Sequence, residues 1–266
     1  MRITLGLEYD GSVFCGWQTQ PSACAVQDAV ERALSRIAGH QVSTVCAGRT
    51  DAGAHALAQV VHFDTHARRA PLAWVRGTNA LLPPGAAVLW AREVGEGFHA
   101  RYSAIERRYR YVLLNRAVRP AVSAHRVGWF HVPLAVDRMQ DAARLLVGEH
   151  DFSAFRSSEC QARTPVRELR RLEVRRRGEY VVFDFAANAF LHHMVRNIVG
   201  CLVYVGKGRY PPQWVAGVLA SGDRTRAAPT FAAAGLYLAA IAYGPQWDLP
   251  SCAGSEAFEL AHLTAV

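Results

Sequence analysis

Hydrophobic side chains change their period within the first hundred residues. In residues 3–9 every second side chain is apolar, which is the period of a half-buried strand. In residues 26–37 the apolar side chains recur at steps of three and four, which predicts an amphipathic helix that ends near Gly39. The elements predicted after this helix are strands near 42–47 and 58–64, a helix from Pro71 and a strand near 86–94.

The same order of elements is predicted again after residue 103. The elements predicted there are strands at 106–115, 166–176, 180–187 and 235–243, helices at 136–147 and 191–205, and an inserted helix near 211–220. Each run has the order βαββαβ, which predicts an α+β fold of two ferredoxin-like halves, with mainly antiparallel sheets side by side and a central cleft. The predicted domains are an N-terminal one at 1–103 and a C-terminal one, with the inserted helix and the tail, at 104–266.

The chain is basic, and arginine supplies almost all of its positive charge. It has 266 residues, is 51% hydrophobic and has a formal net charge of +8, and Lys207 is its one lysine. Guanidinium groups fork onto phosphates and stack on bases, so this composition favours an RNA partner. The candidate phosphate-binding clusters are Arg68-Arg69, Arg107-Arg108-Arg110 and the arginines of 170–177. A solvated strand or turn face is the alternative for each cluster, and it is favoured at 175–177.

Cysteine placement and hydropathy indicate the compartment. The six cysteines are scattered without a Cys-x-x-Cys pair, so neither a zinc cluster nor a disulfide framework is expected. The amino terminus lacks the apolar block of a signal peptide. The most apolar tract, residues 232–243, is too short to span a bilayer. We therefore expect a cytoplasmic protein that does not cross a membrane.

The strongest candidate for chemistry is an acidic residue in a loop with glycines at both ends. The segment Gly-Arg-Thr-Asp-Ala-Gly at 48–53 joins two strand-like runs. Gly48 and Gly53 can adopt backbone angles that a Cβ would resist, which lets the turn direct Asp51 outward. An ionised aspartate can act as a nucleophile or as a general base. The structural alternative is an Asx hydrogen bond that only caps the turn.

Five segments together carry a resemblance to a known family. They are residues 9–20, 48–55, 107–111, 188–200 and 235–238. In this order they resemble the TruA family of tRNA pseudouridine synthases, and the match extends with gaps from about residue 5 to residue 243. The most specific parts are the Gly-Arg-Thr-Asp-Ala-Gly loop and the helix with the pattern Phe-x-x-x-Met-Val-Arg-Asn-Ile-Val-Gly.

The resemblance implies roles for particular residues. Asp51 matches the aspartate that the family needs for catalysis, and Arg196 matches the arginine that pairs with that carboxylate. Tyr109 is similar to the active-site tyrosine that packs on the uracil ring, whereas Tyr111 is expected to be a core residue on the same face of the strand. Leu236 is similar to the apolar residue that walls the base pocket.

Arginines near these positions are expected to contact the substrate. The resemblance implies that Arg49 helps to displace the target base from the RNA stack. Arg107, Arg108 and Arg110 flank Tyr109 and are further substrate-binding candidates. Extruding a base costs on the order of a few kcal/mol. An aromatic ring stacked on the extruded base can offset roughly 1 to 3 kcal/mol of that.

The resemblance also implies a reaction and partners. The implied reaction converts uridine to pseudouridine at positions 38, 39 and 40 in the anticodon stem-loop of tRNA, and the implied assembly is a homodimer. The isomerisation changes no oxidation state, so no cofactor is expected. No metal is expected at His192-His193, because adjacent helical residues point about 100° apart and no third ligand is suitably spaced. His55 and His62 are expected to make structural hydrogen bonds.

Two other functions and several chemical details stay open at this stage. One alternative is a module that binds tRNA and assists its folding without chemistry. The other is a nucleoside-bond hydrolase that uses the same aspartate, since cleavage of the glycosidic bond is half of the isomerisation. The sequence does not distinguish attack of Asp51 on the sugar, attack on the ring and removal of a sugar proton. It also leaves the role of the tail after Gly244 undefined.

Overall fold

The computed structural model describes residues 1–250, which form two compact units. Among the described residues, the first unit contains Met1–Glu106 and residues 237–250, and the second contains Arg107–Leu236. In chain order the elements are β1 (Arg2–Tyr9), α1 (Val26–Ala38), β2 (Val45–Cys46), β3 (His55–Asp64), α2 (Pro71–Asn79), β4 (Ala86–Val94), β5 (Ala104–Asn115), β6 (Gly128–Phe130), α3 (Val136–Arg144), β7 (Gly148–Asp151), β8 (Val166–Arg177), β9 (Tyr180–Ala187), α4 (Met194–Gly206), α5 (Gln213–Ser221) and β10 (Leu236–Tyr243).

Antiparallel pairs make up most of the sheet in the first unit. β1 pairs antiparallel with both β3 and β4, and β2 pairs antiparallel with β3. β10 pairs with β3 in parallel, and Tyr237 lies opposite His55. The predicted strand at 235–243 therefore exists as β10, but all of β10 except Leu236 is grouped with the first unit rather than with the second. This grouping follows from the pairing of β10 with β3, which is distant in the sequence. The spacing of apolar residues within one strand cannot indicate which strand it pairs with.

β1 is buried on both faces, so the prediction of a half-buried strand is wrong. Its residues 3–7 are all buried, including the polar Thr4. Gly6 lies against the indole of Trp90, and an added Cβ would come within 2.1 Å of the ring nitrogen. The Trp90 ring thus covers the face that the alternation of polar residues indicated as solvent-facing. The strand needs a glycine at this point because no side chain fits beneath the ring.

α1 begins and ends at recognisable signals. The Ala25 N–H donates to Asp28 Oδ2 at 3.0 Å, which satisfies a backbone group at the helix start. Gly39 follows the last turn with a left-handed φ of 75°, a conformation that glycine adopts without a steric penalty. The predicted helix and its end near Gly39 are confirmed.

The second unit contains an antiparallel sheet in the order β5, β9, β8, β7, and β6 pairs with β5 in parallel. Within α4 every residue except Arg196 and Tyr204 is buried. The predicted helix at 191–205 begins three residues later than expected, at Met194. The predicted α+β class and the mainly antiparallel pairing are confirmed. The short strand β7 was not predicted, because its sequence Gly-Glu-His-Asp has no apolar alternation.

One cysteine pair departs from the prediction. Cys15 and Cys24 form a disulfide, with their Cα atoms 5.5 Å apart, and the Cys15 N–H donates to the Cys24 carbonyl. The expectation that no disulfide forms is wrong for this pair, because the chain reverses direction between two cysteines whose spacing matches no recognised motif. Among residues 1–250, no helix is both long and apolar enough to cross a membrane.

Candidate active site

The loop at residues 48–54, here called the Asp51 loop, is held on both sides by the first unit. Upstream of Asp51, Thr50 is buried and its Oγ1 lies 2.8 Å from the Tyr9 hydroxyl. Downstream, the Gly53 N–H donates to the Gly11 carbonyl at 3.2 Å, and Gly53 has a left-handed φ of 79°. The loop is therefore fixed to β1 and to the turn that follows it.

A buried glutamine braces the start of the Asp51 loop. Gln59 of β3 is fully buried, and its Nε2 donates to the Gly48 carbonyl at 2.6 Å and to the Tyr9 hydroxyl at 3.3 Å. Asp51 itself is half-buried and Arg49 is exposed. The Ala54 N–H donates to the Asp51 carbonyl at 3.1 Å. The loop backbone is thus ordered by its neighbours, while Asp51 as a residue is only half-buried.

The segment after β1 packs so closely on the Asp51 loop that it requires glycine twice. An added Cβ on Gly11 would lie 1.9 Å from the Ala54 carbonyl oxygen. Gly16 has a φ of +93°, and its added Cβ would lie 2.9 Å from the Thr50 carbonyl oxygen. The sequence motif at residues 9–20 did not by itself indicate a role for this segment. The structure identifies it as the support of the loop, and the two glycines were the signal that could have found it.

Histidines near the loop make structural contacts, as predicted. His55 Nδ1 accepts from the Gly11 N–H at 3.1 Å, and the ring stacks on Tyr237 with centroids 4.7 Å apart. His62 Nδ1 accepts from the Ala100 N–H at 3.1 Å. Burial, together with the positive charge of Arg2, lowers the pKa of His62 to about 4. His62 is therefore neutral at neutral pH and acts as a hydrogen-bond acceptor.

The two tyrosines of β5 have different surroundings within the second unit. Tyr111 is fully buried and its hydroxyl donates to the Ala232 carbonyl at 2.7 Å, which confirms it as a core residue. Tyr109 is buried but for 8% of its surface, and its ring meets Phe190 edge to face at 5.0 Å. Tyr109 therefore keeps a small accessible surface, whereas Tyr111 keeps none.

The arginines of β5 alternate in environment. Arg107 is buried and its Nη1 donates to the Asn188 carbonyl at 2.8 Å. Arg110 is half-buried and its Nε donates to Asp184 Oδ1 at 2.7 Å. Arg108 is exposed. Of the three predicted substrate-binding arginines, Arg108 is the most accessible, while Arg107 and Arg110 take part in the internal bonding of the unit.

Three arginines of β8, namely Arg170, Arg171 and Arg175, pair with acids. Arg170 pairs with Glu168 at 2.8 Å and Arg171 pairs with Glu173 at 2.6 Å. The Glu173 hydrogen bond raises the pKa of Arg171, and the same bond lowers the pKa of Glu173. These pairs neutralise part of the positive charge that the sequence places at 170–177. At Arg170 and Arg171 they favour the alternative of a solvated strand face.

Arg196 lies in the first turn of α4 and is half-buried. Its Nε donates to the Phe231 carbonyl at 2.8 Å, and the Phe231 N–H donates to the Arg196 carbonyl at 3.2 Å. Leu236 is buried, and the preceding Gly235 packs against β5, where an added Cβ would lie 2.4 Å from the Val112 carbonyl oxygen. Both residues are therefore fixed by backbone contacts of the second unit.

The predicted geometry of His192-His193 is wrong. The helix begins only at Met194, and His193 has a left-handed φ of 63°. The two imidazole rings consequently lie together, with centroids 4.0 Å apart, instead of pointing in different directions. His192 and His193 therefore lack the helical geometry from which the absence of a metal was expected.

Comparison with known proteins identifies the family of this chain. A family model described as tRNA pseudouridine synthase matches residues 7–103 and 142–244. A tRNA pseudouridine synthase A of Thiobacillus denitrificans is 62% identical over 250 residues, which are 94% of this chain and 96% of that protein. A protein of the same name from Nitrosomonas eutropha is 57% identical over 94% of this chain and 91% of its own length. Among solved structures, a Cbf5-Nop10-Gar1 complex has a TM-score of 0.34 and 13% identity over 76% of this chain and 45% of the matched chain, which is too weak to support a conclusion. The family match and these two curated relatives cover most of the chain, and the chain therefore belongs to the tRNA pseudouridine synthase family.

Proposed function

We propose that this protein converts uridine to pseudouridine in tRNA, with Asp51 as the catalytic carboxylate. The observation that carries the proposal is the Asp51 loop, whose backbone is bonded to Tyr9, Gly11 and Gln59 while the Asp51 side chain is only half-buried. Fixed geometry of this kind is what a nucleophile or base needs, because small displacements of a reacting group lower the rate steeply. Membership of the family and the names of the curated relatives support the same reaction.

The proposed reaction is an isomerisation that balances without a co-reactant. The bond from uracil N1 to the sugar C1′ breaks and a bond from C5 to C1′ forms, while a proton leaves C5 and N1 gains one. Asp51 acts in its ionised form, as nucleophile or as base. Arg196 supplies a guanidinium, which favours the ionised form of a carboxylate. Tyr109 stacks on the extruded uracil, since its ring is held by Phe190 and keeps some accessible surface.

The substrate and the assembly follow from the resemblance and from charge. We place the modified uridines at positions 38, 39 and 40 of the anticodon stem-loop, with a homodimer acting in the cytoplasm. Arg49 takes part in base displacement and Leu236 walls the base, while Arg108 contacts the RNA backbone with support from Arg107 and Arg110. The net charge of +8 and the exposure of Arg49 and Arg108 support an RNA substrate. Light scattering of the purified protein would test the dimer, and a monomer mass would contradict it.

The decisive experiment uses an unmodified tRNA transcript that carries tritium at C5 of its uridines. Incubation with the purified protein, without added nucleotide, should release tritium to water as C5 loses its proton. Chemical mapping should then find pseudouridine at positions 38 to 40. Release of free uracil would instead identify a nucleoside-bond hydrolase. Binding of tRNA without tritium release would identify a non-catalytic folding module.

A further inference from the structure

The segment that holds Arg196 has no regular secondary structure of its own. Residues 227–233 run between the short 3-10 turn Arg224–Arg226 and β10. Yet Phe231 in this segment makes two hydrogen bonds to Arg196, one of them to the guanidinium Nε. The direction of the guanidinium therefore depends on how firmly an irregular segment is fixed to α4.

A closed network of side chains fixes this segment one residue away from the Arg196 contacts. Asn197 is fully buried, and its Oδ1 accepts from Thr230 Oγ1 at 2.7 Å and from Arg224 Nη2 at 3.1 Å. Arg224 Nη2 also donates to Thr230 Oγ1 at 3.0 Å. The Asn197 Nδ2 donates to the Phe155 carbonyl at 2.8 Å, so the amide is bonded on both ends. Asn197 and Thr230 are the direct neighbours of Arg196 and Phe231 in the chain.

The same segment follows α4 for a further turn. An added Cβ on Gly200 would lie 2.3 Å from the Pro229 carbonyl oxygen, so backbone and helix are in direct contact there. The Ala228 N–H donates to Cys201 Sγ at 3.3 Å. Along α4 the contacts run from Arg196 to Cys201, while along the irregular segment they run backward from Phe231 to Ala228. The two segments therefore lie antiparallel to each other. The hydrogen bonds among Asn197, Arg224 and Thr230 are made by side chains. A substitution can therefore remove one of them without adding bulk between the segment and α4.

Arg224 lies in a 3-10 turn that is itself stabilised by hydrogen bonds. Asp223 Oδ1 accepts from the Thr225 N–H at 2.8 Å and from Thr225 Oγ1 at 2.7 Å, which caps the 3-10 turn. The Arg224 guanidinium is half-buried and donates to two neutral oxygens. Hydrogen bonds from a charged donor are stronger than those between neutral groups. This arrangement gives Arg224 a bonding role inside the unit.

We infer that Asn197, Arg224 and Thr230 are positioning residues that orient the Arg196 guanidinium through Phe231. The inference rests on the proposed function, because it assigns these residues to the turnover step and not to tRNA affinity. Misplacement of a reacting group by about 1 Å can lower a rate about 100-fold. Removing the Thr230 hydroxyl should therefore slow turnover without weakening the complex with tRNA.

The test compares three threonine variants. In Thr230→Val the shape is kept and the hydroxyl is lost, so we expect single-turnover tritium release to slow about 10- to 100-fold while the Kd for tRNA stays within about twofold. Thr230→Ser restores the hydroxyl and should recover most of the rate. Thr164→Val removes an exposed hydroxyl that accepts from the Val166 N–H, outside the network, and should leave the rate unchanged. A normal rate in Thr230→Val, or equal losses in the two valine variants, would overturn the inference.

A second measurement does not depend on activity. In ¹⁵N-arginine-labelled protein, the Nε–H signal of Arg196, identified by its loss in Arg196→Lys, should exchange faster with solvent in Thr230→Val and at the wild-type rate in Thr164→Val. Unchanged exchange in Thr230→Val would refute the network whether or not the wild-type protein makes pseudouridine. An inactive wild-type protein with the expected exchange pattern would refute only the proposed function.

The competing role for Arg224 is contact with an RNA phosphate, which a measurement of tRNA affinity would detect. Arg224→Met should leave the Kd for tRNA and its salt dependence unchanged if the guanidinium bonds only within the unit. If Arg224 instead contacts a phosphate, the variant should bind tRNA more weakly and the salt slope should fall by about 1. That second result would overturn its assignment as a positioning residue.

Discussion

The backbone N–H of Trp17 donates to the Thr50 carbonyl at 3.0 Å, so the segment that follows β1 supports the residue directly before Asp51. The neighbouring Gly16 makes the approach possible because it has no Cβ and adopts a φ of +93°. The position of the Asp51 carboxyl group therefore depends on a segment 35 residues earlier in the chain, which carries no acid or base of the proposed reaction.

Gly16→Ala should impair turnover more than a strained backbone alone would. The new Cβ would lie 2.9 Å from the Thr50 carbonyl oxygen and 3.0 Å from the Ala52 nitrogen, so the Asp51 loop must shift. We expect at least a 10-fold slower tritium release and a loss of about 1 to 3 kcal/mol in the free energy of unfolding. Gly39→Ala is the matched control, since Gly39 has a φ of +75° with open space around its Cβ position. The prediction fails if both variants lose turnover equally.

Asp51→Asn should abolish chemistry without loosening the tRNA complex. The amide keeps the shape of the side chain but cannot act as a nucleophile or as a strong base. We expect single-turnover tritium release to fall by about 1,000-fold or more, with the Kd for tRNA within about twofold. Asp28→Asn removes one acid of α1 while keeping an oxygen that accepts from the Ala25 N–H, and it should retain full activity. Substantial activity in Asp51→Asn would reject the proposed mechanism.

Substitutions at the two tyrosines of β5 should have different effects, because changes at Tyr111 should lower the free energy of unfolding and changes at Tyr109 should lower turnover. Tyr111→Phe leaves the Ala232 carbonyl without the 2.7 Å hydrogen bond, which should lower the free energy of unfolding by about 1 to 3 kcal/mol in urea titrations. Tyr109→Phe keeps the ring and should retain most of the turnover, while Tyr109→Ala should lose about 10- to 100-fold. Complete inactivity of Tyr109→Phe would show that the hydroxyl acts in the chemistry and that stacking is not its main role.

Arg108 should contribute to tRNA affinity more than Arg110. Arg108 is exposed, whereas Arg110, two residues further along the same face of β5, is half-buried and bonded to Asp184 at 2.7 Å. Arg108→Ala should weaken binding and reduce the slope of log Kd against log salt by about 1, as expected for one lost phosphate contact. Arg110→Gln should change that slope little. Equal changes in the two variants would contradict this division of roles.

Stability should fall in mild acid because of His62. The pKa of His62 is about 4 in the folded protein and about 6.5 in an unfolded chain, so the unfolded state binds the proton more tightly. The contribution of neutral His62 is complete above about pH 6.5 and declines as the pH falls from 6.5 toward 4, by up to roughly 3 kcal/mol. His62→Gln can still accept from the Ala100 N–H and should show a smaller loss between pH 7.5 and 4.5 in urea titrations. Identical pH dependence in both proteins would exclude His62 as the cause.

Local features of the structure were predictable where neighbouring residues decide them. The steps of three and four in residues 26–37 and the glycine at 39 define α1, because helix formation and its end depend on residues within one or two turns. The glycines around Asp51 likewise indicated a tight loop. The core position of Tyr111 followed from the two-residue period of a strand.

By itself, the sequence determined the types and order of most elements, the Asp51 loop and the family, since these depend on local pattern and on short motifs. Tertiary structure alone decided that β10 pairs with β3, that Trp90 covers the second face of β1, that Cys15 meets Cys24, and that Arg224 bonds to Asn197. Each of these contacts joins residues that do not follow each other in one helix or strand. Periodicity describes only the faces of a single element, whereas the partner of each face is selected by packing of the whole unit.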